Sequence, residues 1–410
     1  MTNASNPYID RLGPYPMVRM ARLLADIQPP AGKPLIRFSV GEPRHPLPRV
    51  LVDAFAAAAG TVNAYPSTRG SDAMHRSIAN WVERRYAPAR VDPRTQVLPV
   101  NGAREGLFSF AEAVLDKTRT DSLVICPNPG YAVYDGVTKL SGLTPWYFAT
   151  HGAGSMGERY AAVPAEIWRR AQLIFVCTPD NPRGDTLTLD DWRTLFQLSD
   201  EHGFIIAADE CYSEIYVNGV PPLGALQAAA RLGRAGYERL AAFFSLSKRS
   251  NATGLRSGFI AGDAALLRQT EQFRSYNGGG MNQAVEAASI AAWDDEEHVH
   301  ANRERYRTKY RRVIPLLQSV LPVQEPRAGF FLWVDVRRTG MSDEAFARAL
   351  MAEEHVQVLP GTYLTNEVDG VDPGAGHVRL ALVADEEECM EGARRIVRFC
   401  KSLATRAVPA

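Results

Sequence analysis

Apolar runs that stop abruptly at a polar turn recur through the middle of this chain, and they restrict the fold more than any other feature. Residues 122–126 lead into Pro127-Asn128-Pro129-Gly130-Tyr131, residues 173–178 into Pro179-Asp180-Asn181-Pro182-Arg183-Gly184, residues 204–208 into Asp209-Glu210-Cys211-Tyr212, and residues 240–244 into Ser245-Leu246-Ser247-Lys248. Runs that are apolar throughout, without alternation, read as strands buried on both faces. The segments between them, 189–202 for example, carry helical spacing. Strands alternating with helices predict an α/β fold with a mostly parallel central sheet sandwiched by helices. In such a sheet the polar residues after each strand meet along the carboxyl edge, where ligands bind.

Further strands are read at 36–40, 96–100, 145–149 and 257–262, and helices at 50–59 and 72–86. Helical spacing then covers 264–321, broken at Asn277-Gly278-Gly279-Gly280. Strands at 330–336 and 377–382, with helices at 343–354 and 385–403, form a smaller α+β domain; in its last helix Cys389, Ala393, Ile396, Val397 and Cys400 share one face. A short amphipathic stretch at 17–27, bracketed by Pro14, Pro16, Pro29 and Pro30, is an arm too small to fold alone. The expected division is 1–47 as arm and part of the small domain, 48–292 as the large domain, and 293–410 as the small domain.

Charge and cysteine content narrow function by exclusion. Lysine plus arginine equals aspartate plus glutamate, 46 against 46, so nothing electrostatic calls for nucleic acid or an anionic membrane as partner. No apolar stretch approaches the roughly 20 residues of a spanning helix, and residues 1–6 show no basic segment leading into an apolar run; a cytoplasmic protein is expected. Five cysteines, never two residues apart, give neither a disulfide framework nor a metal knuckle, and Cys126 and Cys177 read as small core residues.

Lys248 emerges at the carboxyl end of a strand. A lysine used for covalent chemistry must be partly neutral, which an apolar wall or a neighbouring cation achieves, and Arg249 and Arg256 are the nearby cations. The hydroxyls of Ser245 and Ser247 and the planar fork of Arg256 suit a phosphate dianion. The strand at 96–100 runs into Asn101-Gly102-Ala103-Arg104-Glu105-Gly106, a helix start whose backbone donors stabilise an anion by about 0.3–1 kcal/mol. A lysine beside a phosphate cradle points to an aldehyde cofactor carrying a phosphate, pyridoxal phosphate. Asp209 suits a pyridine nitrogen that must stay protonated, Tyr212 and Asn181 can hydrogen-bond a phenolic oxygen, and Tyr131 can stack on a ring. Singly, each has a plainer reading: a solvated basic turn, a capping aspartate, a turn asparagine, a core tyrosine. Gly41 is equally a turn glycine or a close-approach point for substrate, and Tyr65, in the polar loop 63–70, reads by itself as lying on its own domain.

In their joint order, Asn181-Pro182-x-Gly184, Asp209-x-x-Tyr212, and Ser245-x-Ser247-Lys248 followed by Arg256 closely resemble the fold-type I pyridoxal-phosphate aminotransferases of class I/II, and the likeness covers nearly the whole chain. The resemblance implies that Lys248 forms the Schiff base and shuttles the proton, that Asp209 binds the ring nitrogen, that Tyr212 and Asn181 hold the phenolic oxygen, and that Tyr131 stacks. It implies that Ala103 and Arg104 (through backbone donors), Ser245, Ser247 and Arg256 hold the phosphate, joined by Tyr65 from the second subunit of a homodimer. It also implies that Arg379 grips the substrate's α-carboxylate beside Gly41 and Asn181. Arg183 stands where the family usually has threonine.

The runs Gly41-Glu42-Pro43-Arg44-His45-Pro46, Asp209-Glu210-Cys211-Tyr212-Ser213-Glu214-Ile215-Tyr216 and Pro221-Pro222-Leu223-Gly224-Ala225-Leu226, with the lysine segment, look most like bacterial N-succinyldiaminopimelate aminotransferases of lysine biosynthesis. That likeness implies amino transfer between glutamate and a succinylated 2-amino-6-oxopimelate, with Arg44, Arg183 and Arg274 as candidates for the distal carboxylates. Asn277-Gly278-Gly279-Gly280 departs from the subfamily. The alternatives are a class I/II aminotransferase of other specificity and a carbon–sulfur β-lyase. A non-catalytic regulatory module lacks room for a DNA-binding segment and has no use for an intact Lys248.

Overall fold

The recurring apolar runs pair into one sheet. The computed structural model describes residues 6–406; residues 1–5 of the opening stretch, and 407–410 of the expected small domain, lie outside the described residues. In chain order the strands are β1 (Ile36–Arg37), β2 (Val97–Val100), β3 (Leu123–Asn128), β4 (Thr144–Ala149), β5 (Ala171–Cys177), β6 (Ile205–Asp209), β7 (Leu240–Ser245), β8 (Gly258–Gly262), β9 (Phe331–Asp335), β10 (Val356–Gln357), β11 (Leu359–Pro360) and β12 (His377–Ala381). The main sheet has the order β2-β8-β7-β6-β5-β3-β4. Only β8 runs against its neighbours; the other pairs are parallel. The helix Leu189–His202, which carries the chain from β5 back to β6, is delimited by local chemistry: Thr188 and Asp191 form a capping box, and Gly203 ends it in a left-handed conformation.

The two-residue period of each strand sorts its side chains into two cores. Ile174, Val176, Ile206, Ala208, Leu240, Ala242 and Phe244 belong to one, built around Trp81 and Trp293. Leu173, Phe175, Ala207, Ala241 and Phe243 belong to the other, covered by the helices Ala103–Val114 and Ala132–Leu140 through Leu107, Phe110, Tyr134 and Val137. Continuing that alternation by one step puts Cys177, Asp209 and Ser245, the last residues of β5, β6 and β7, on the second face at the carboxyl edge. Register agrees: Cys177 pairs with Asp209, and Asp209 with Phe243.

The smaller unit is an antiparallel sheet, β11-β12-β9, with a third core that gathers Ile36, Phe38, Val313, Leu317, Phe346, Val378, Leu380, Ile396 and Phe399. Val378 and Leu380 point into that core, so Arg379 lies on the opposite face of β12, where Ala381 meets Tyr212, Phe330 and Phe331. The strand expected at 36–40 is only β1, paired with the equally short β10. Past Phe38 its carbonyls go elsewhere: Ser39 O accepts from Arg379 and Gly41 O from Lys248. Strands β10 and β11 had no counterpart in the sequence reading, because two residues carry no readable period.

Candidate active site

The polar strand ends, the helix starts above them and the inner face of β12 enclose a cavity of about 570 Å3. Of the residues expected to hold the cofactor and the α-carboxylate, all but Tyr65 line it: Gly41, Ala103, Arg104, Tyr131, Asn181, Asp209, Tyr212, Ser245, Ser247, Lys248, Arg256 and Arg379. Tyr65 is fully exposed and outside the cavity, so this chain does not fold it into its own site.

Lys248 sits in the short helix Leu246–Arg249, whose N-cap Ser245 accepts through Oγ from Ser247 N at 3.1 Å. Its Nζ donates to Gly41 O at 2.5 Å and stands 5.6 Å from the Phe330 ring centre. Burial is the main reason its pKa falls to about 8; Arg379 and Arg256 push the same way, and Cys211 and Glu42 oppose them. Arg249 is not one of those cations, contrary to expectation. Its guanidinium turns into the opposite core, donating to Ala292 O and Glu296 Oε1 at 2.6 and 2.8 Å and resting 5.0 Å from the Trp293 ring.

Asp209 is buried and accepts from Tyr134 Oη at 2.7 Å and from Cys211 N at 3.2 Å. Tyr134 escaped the sequence reading; the available signal was its place three residues after Tyr131, on the same face of the helix that follows. The Tyr131 hydroxyl accepts from Arg104 Nε at 2.6 Å, and Arg104 also donates to Tyr15 Oη at 3.2 Å, which brings the amino-terminal arm to the cavity wall. Cys177 lines the cavity instead of lying in the core as expected.

At the other sheet edge, Gly102 (φ +86°) turns the chain into the helix Ala103–Val114, which no side chain caps. A Cβ on Gly102 would lie 2.4 Å from Arg256 Nη2, so only glycine lets that guanidinium reach the helix start. Arg256 is steadied by the carbonyls of Thr253 and Asn101 at 2.9 and 3.3 Å. Guanidinium, free helix start and serine hydroxyls together make an anion cradle.

Arg379 is buried, with Nη1 donating to Asn181 Oδ1 and Nη2 to Ser39 O, both at 3.0 Å, and its carbon 4.2 Å over the Phe331 ring. Its Nε has no partner, and burial lowers its pKa to about 10. An unpartnered donor on a buried guanidinium that faces a cavity calls for an anionic ligand. Gly41 is required beside it, since a Cβ there would come within 2.7 Å of Phe331.

The three candidates for a distal carboxylate lie elsewhere. Arg44 pairs with Glu388 at 2.6 Å and Arg183 with Asp185 at 3.0 Å. Arg274 is fully buried against Glu105, with its other donors on the carbonyls of Thr68, Pro99 and Gly279. None lines the cavity. Asn277-Gly278-Gly279-Gly280 is likewise a support: Asn101 Nδ2 donates to the carbonyls of Gly279 and Gly280, and Gly280 abuts Pro66.

A buried amine of lowered pKa, an anion cradle and a buried carboxylate in one cavity at the carboxyl edge of this sheet define a site for a phosphate-bearing, amine-reactive cofactor. Residues 33–396 match the family Aminotransferase class I and II, and the chain belongs to that family. Pyridoxal phosphate is the family's cofactor, and the residues present fit it: cradle for the phosphate, Asp209 for the ring nitrogen, Lys248 for the aldehyde. Among curated proteins, LL-diaminopimelate aminotransferase of Desulforudis audaxviator is 30% identical over 393 residues, 95% of this chain and 96% of that one. The same enzyme of Dehalococcoides mccartyi (strain ATCC BAA-2266 / KCTC 15142 / 195) is 29% identical over 396 residues, 95% and 97% of the two chains. Among solved structures, an aminotransferase of Neisseria meningitidis is 45% identical with a TM-score of 0.91, covering 96% of this chain and 99% of that one. A probable N-succinyldiaminopimelate aminotransferase of Thermus thermophilus is 26% identical with a TM-score of 0.82, covering 94% and 100%. The protein is an aminotransferase acting on small molecules.

Proposed function

We propose that this aminotransferase exchanges an amino group between glutamate and an oxo acid of the diaminopimelate class, free or N-succinylated, as a homodimer in the cytoplasm. The observation that carries the reaction type is the convergence in one cavity of Lys248, Asp209 and the buried guanidinium of Arg379. The substrate class rests on the names of the relatives and on the sequence runs shared with the succinylated subfamily.

When bound, pyridoxal phosphate supplies an aldehyde that exchanges with the substrate amine and a ring that spreads negative charge from the α-carbon. Arg379 holds the α-carboxylate and so fixes which bond at the α-carbon is broken. Lys248 Nζ, kept partly neutral by burial, would carry the proton between the substrate's α-carbon and the cofactor's aldehyde carbon on the far side of the substrate nitrogen. Asp209, itself held by Tyr134 and by the Cys211 N–H, keeps the pyridine nitrogen protonated. Tyr212 and Asn181 hold the phenolic oxygen, Tyr131 stacks on the ring, and Ala103, Arg104, Ser245, Ser247 and Arg256 hold the phosphate with Tyr65 from the partner subunit.

The test is a coupled assay of the purified enzyme with glutamate against free and succinylated 2-amino-6-oxopimelate and a panel of other oxo acids. Turnover with either pimelate at least tenfold above the rest supports the substrate class. Equal or better turnover with short aliphatic or aromatic oxo acids refutes it and leaves the reaction type standing.

A further inference from the structure

The segment Gly41-Glu42-Pro43-Arg44-His45-Pro46 enters the site only through its first residues, yet its fifth belongs to a bonded path that ends on the lysine's own backbone. We propose that Lys309, His45 and Asn302 are positioning residues that clamp the 41–46 segment and the Lys248 loop to one another from the long helix Glu297–Gln318. The inference rests on Lys248 being the reactive amine and is independent of which oxo acid is used.

The path has one sense throughout. Lys309 is fully buried, and its ammonium donates to the carbonyls of Leu382 and Ala384 (2.8 Å to the latter) and to His45 Nε2 at 3.0 Å. A His45 that accepts at Nε2 carries its proton on Nδ1, where it donates to Asn302 Oδ1 at 3.0 Å. Asn302, also buried, is thereby oriented with its amide nitrogen toward Lys248 O and Arg249 O, at 3.3 and 3.2 Å. Asn251 Nδ2 confirms that orientation by donating to the same Oδ1 at 3.1 Å. No amide flip or second tautomer satisfies all of these bonds. The Lys248 side chain reaches back to Gly41 O, so the loop closes: amine to Gly41, Gly41 to His45 along the chain, His45 to Asn302, Asn302 to the lysine carbonyl. Tyr306 packs beneath, 4.9 Å from the His45 ring and 4.3 Å from Lys309 Nζ, and stacks on the Phe330 that faces Lys248.

The ammonium is the end that titrates. Burial lowers the Lys309 pKa to about 8; Cys389, Asp385 and Glu386 oppose this, and Arg305 adds to it. Burial and the Lys309 charge bring His45 to about 4, with Arg305 adding and Asn302 and Asp385 opposing, so His45 stays neutral through the working range. Below pH 8 the three N–H donors of the ammonium serve its three acceptors; above it the neutral amine keeps only two and carries no charge, so the clamp loosens.

The test compares wild type with His45→Gln, His45→Leu and Lys309→Met. Glutamine offers an amide oxygen to Lys309 and an amide N–H to Asn302; leucine offers neither. Two readouts are taken: the single-turnover rate of the holoenzyme with L-glutamate from pH 6.5 to 9.5, and amide hydrogen exchange of segments 41–46 and 248–251 in apo- and holoprotein. The clamp predicts that at pH 7 His45→Leu and Lys309→Met fall at least tenfold in maximal rate with less than threefold change in the glutamate concentration for half-saturation, and that His45→Gln stays within threefold of wild type. It predicts that the ratio of wild type to Lys309→Met narrows at least about twofold between pH 7 and pH 9.5 without closing, because the neutral amine keeps two donors, and that exchange in 41–46 rises in His45→Leu but not in His45→Gln. A wild-type-to-variant ratio that is the same at every pH, or equal losses in His45→Gln and His45→Leu, overturns the proposal. If wild type shows no reaction with glutamate, the functional reading has failed, and the exchange arm decides the clamp alone.

Discussion

At the residue scale, the chemistry depends on two cations that burial has made unlike their solvent-exposed counterparts. Lys248, with its pKa lowered to about 8, is mostly protonated at pH 7 and mostly neutral at pH 9. Capture of pyridoxal phosphate by the apoprotein should therefore accelerate about tenfold per pH unit below 8 and level off above it; a stopped-flow rate that is flat from pH 6 to 9 contradicts this. Arg379→Ala should lower kcat/KM at least about thirtyfold for every amino acid alike, because the fork that fixes the α-carboxylate is gone. A loss confined to one substrate would mean that the carboxylate is held elsewhere. Tyr134→Phe removes a buried hydrogen bond to the Asp209 carboxylate of a kind that contributes about 1.5–3 kcal/mol, so turnover should fall roughly tenfold or more and the melting temperature by a few degrees; unchanged turnover would mean that Tyr134 does not act through Asp209. These residues differ in how legible they were. Lys248, Asp209, Asn181 and Arg379 follow strands or lie on one, so the apolar runs announced them. Tyr134 and Phe331 act through packing across elements, which no local pattern records, and Arg249, adjacent to the lysine in sequence, points into the other core.

At the element scale, the strand ends do the placing. That the polar residues after each run meet along one edge followed from the runs alone once a parallel sheet was expected; that the period of two sorting β5, β6 and β7 between two cores also puts Cys177, Asp209 and Ser245 on one face did not, and Cys177 was read as core. What the runs could not give was where a strand yields to the site. The stretch 36–40 reads as a strand, yet only Ile36 and Arg37 pair with β10; Ser39 O is taken by Arg379 and, just past the stretch, Gly41 O by Lys248, 340 and 207 residues away in the chain. The turn before Ala103 is the element most exposed to substitution. Gly102→Ala forces a non-glycine residue to φ +86°, ψ 156°, a region that only glycine adopts readily, at a cost of about 1–3 kcal/mol, and drives its Cβ into Arg256. The dissociation constant for pyridoxal phosphate should rise about tenfold or more by fluorescence titration, and an unchanged constant would remove Arg256 from the cradle.

At the scale of the whole molecule, the site lies where the main sheet's carboxyl edge meets the inner face of β12, so neither core alone can complete it. Tyr65 is fully exposed beside the Pro66 that packs on Gly280, and the proposed homodimer assigns it to the site of the other copy. Light scattering should give twice the 45.1 kDa chain mass, and Tyr65→Phe should weaken cofactor binding without altering that mass; a fully active monomer would contradict the shared site. The central claim is that the amine at position 248 is the group that takes the cofactor's aldehyde. Borohydride reduction of the protein loaded with pyridoxal phosphate, followed by peptide mass mapping, tests it most directly. The account predicts one phosphopyridoxyl adduct, on Lys248, absent from Lys248→Ala; an adduct on any other lysine, or its persistence in that variant, contradicts the account.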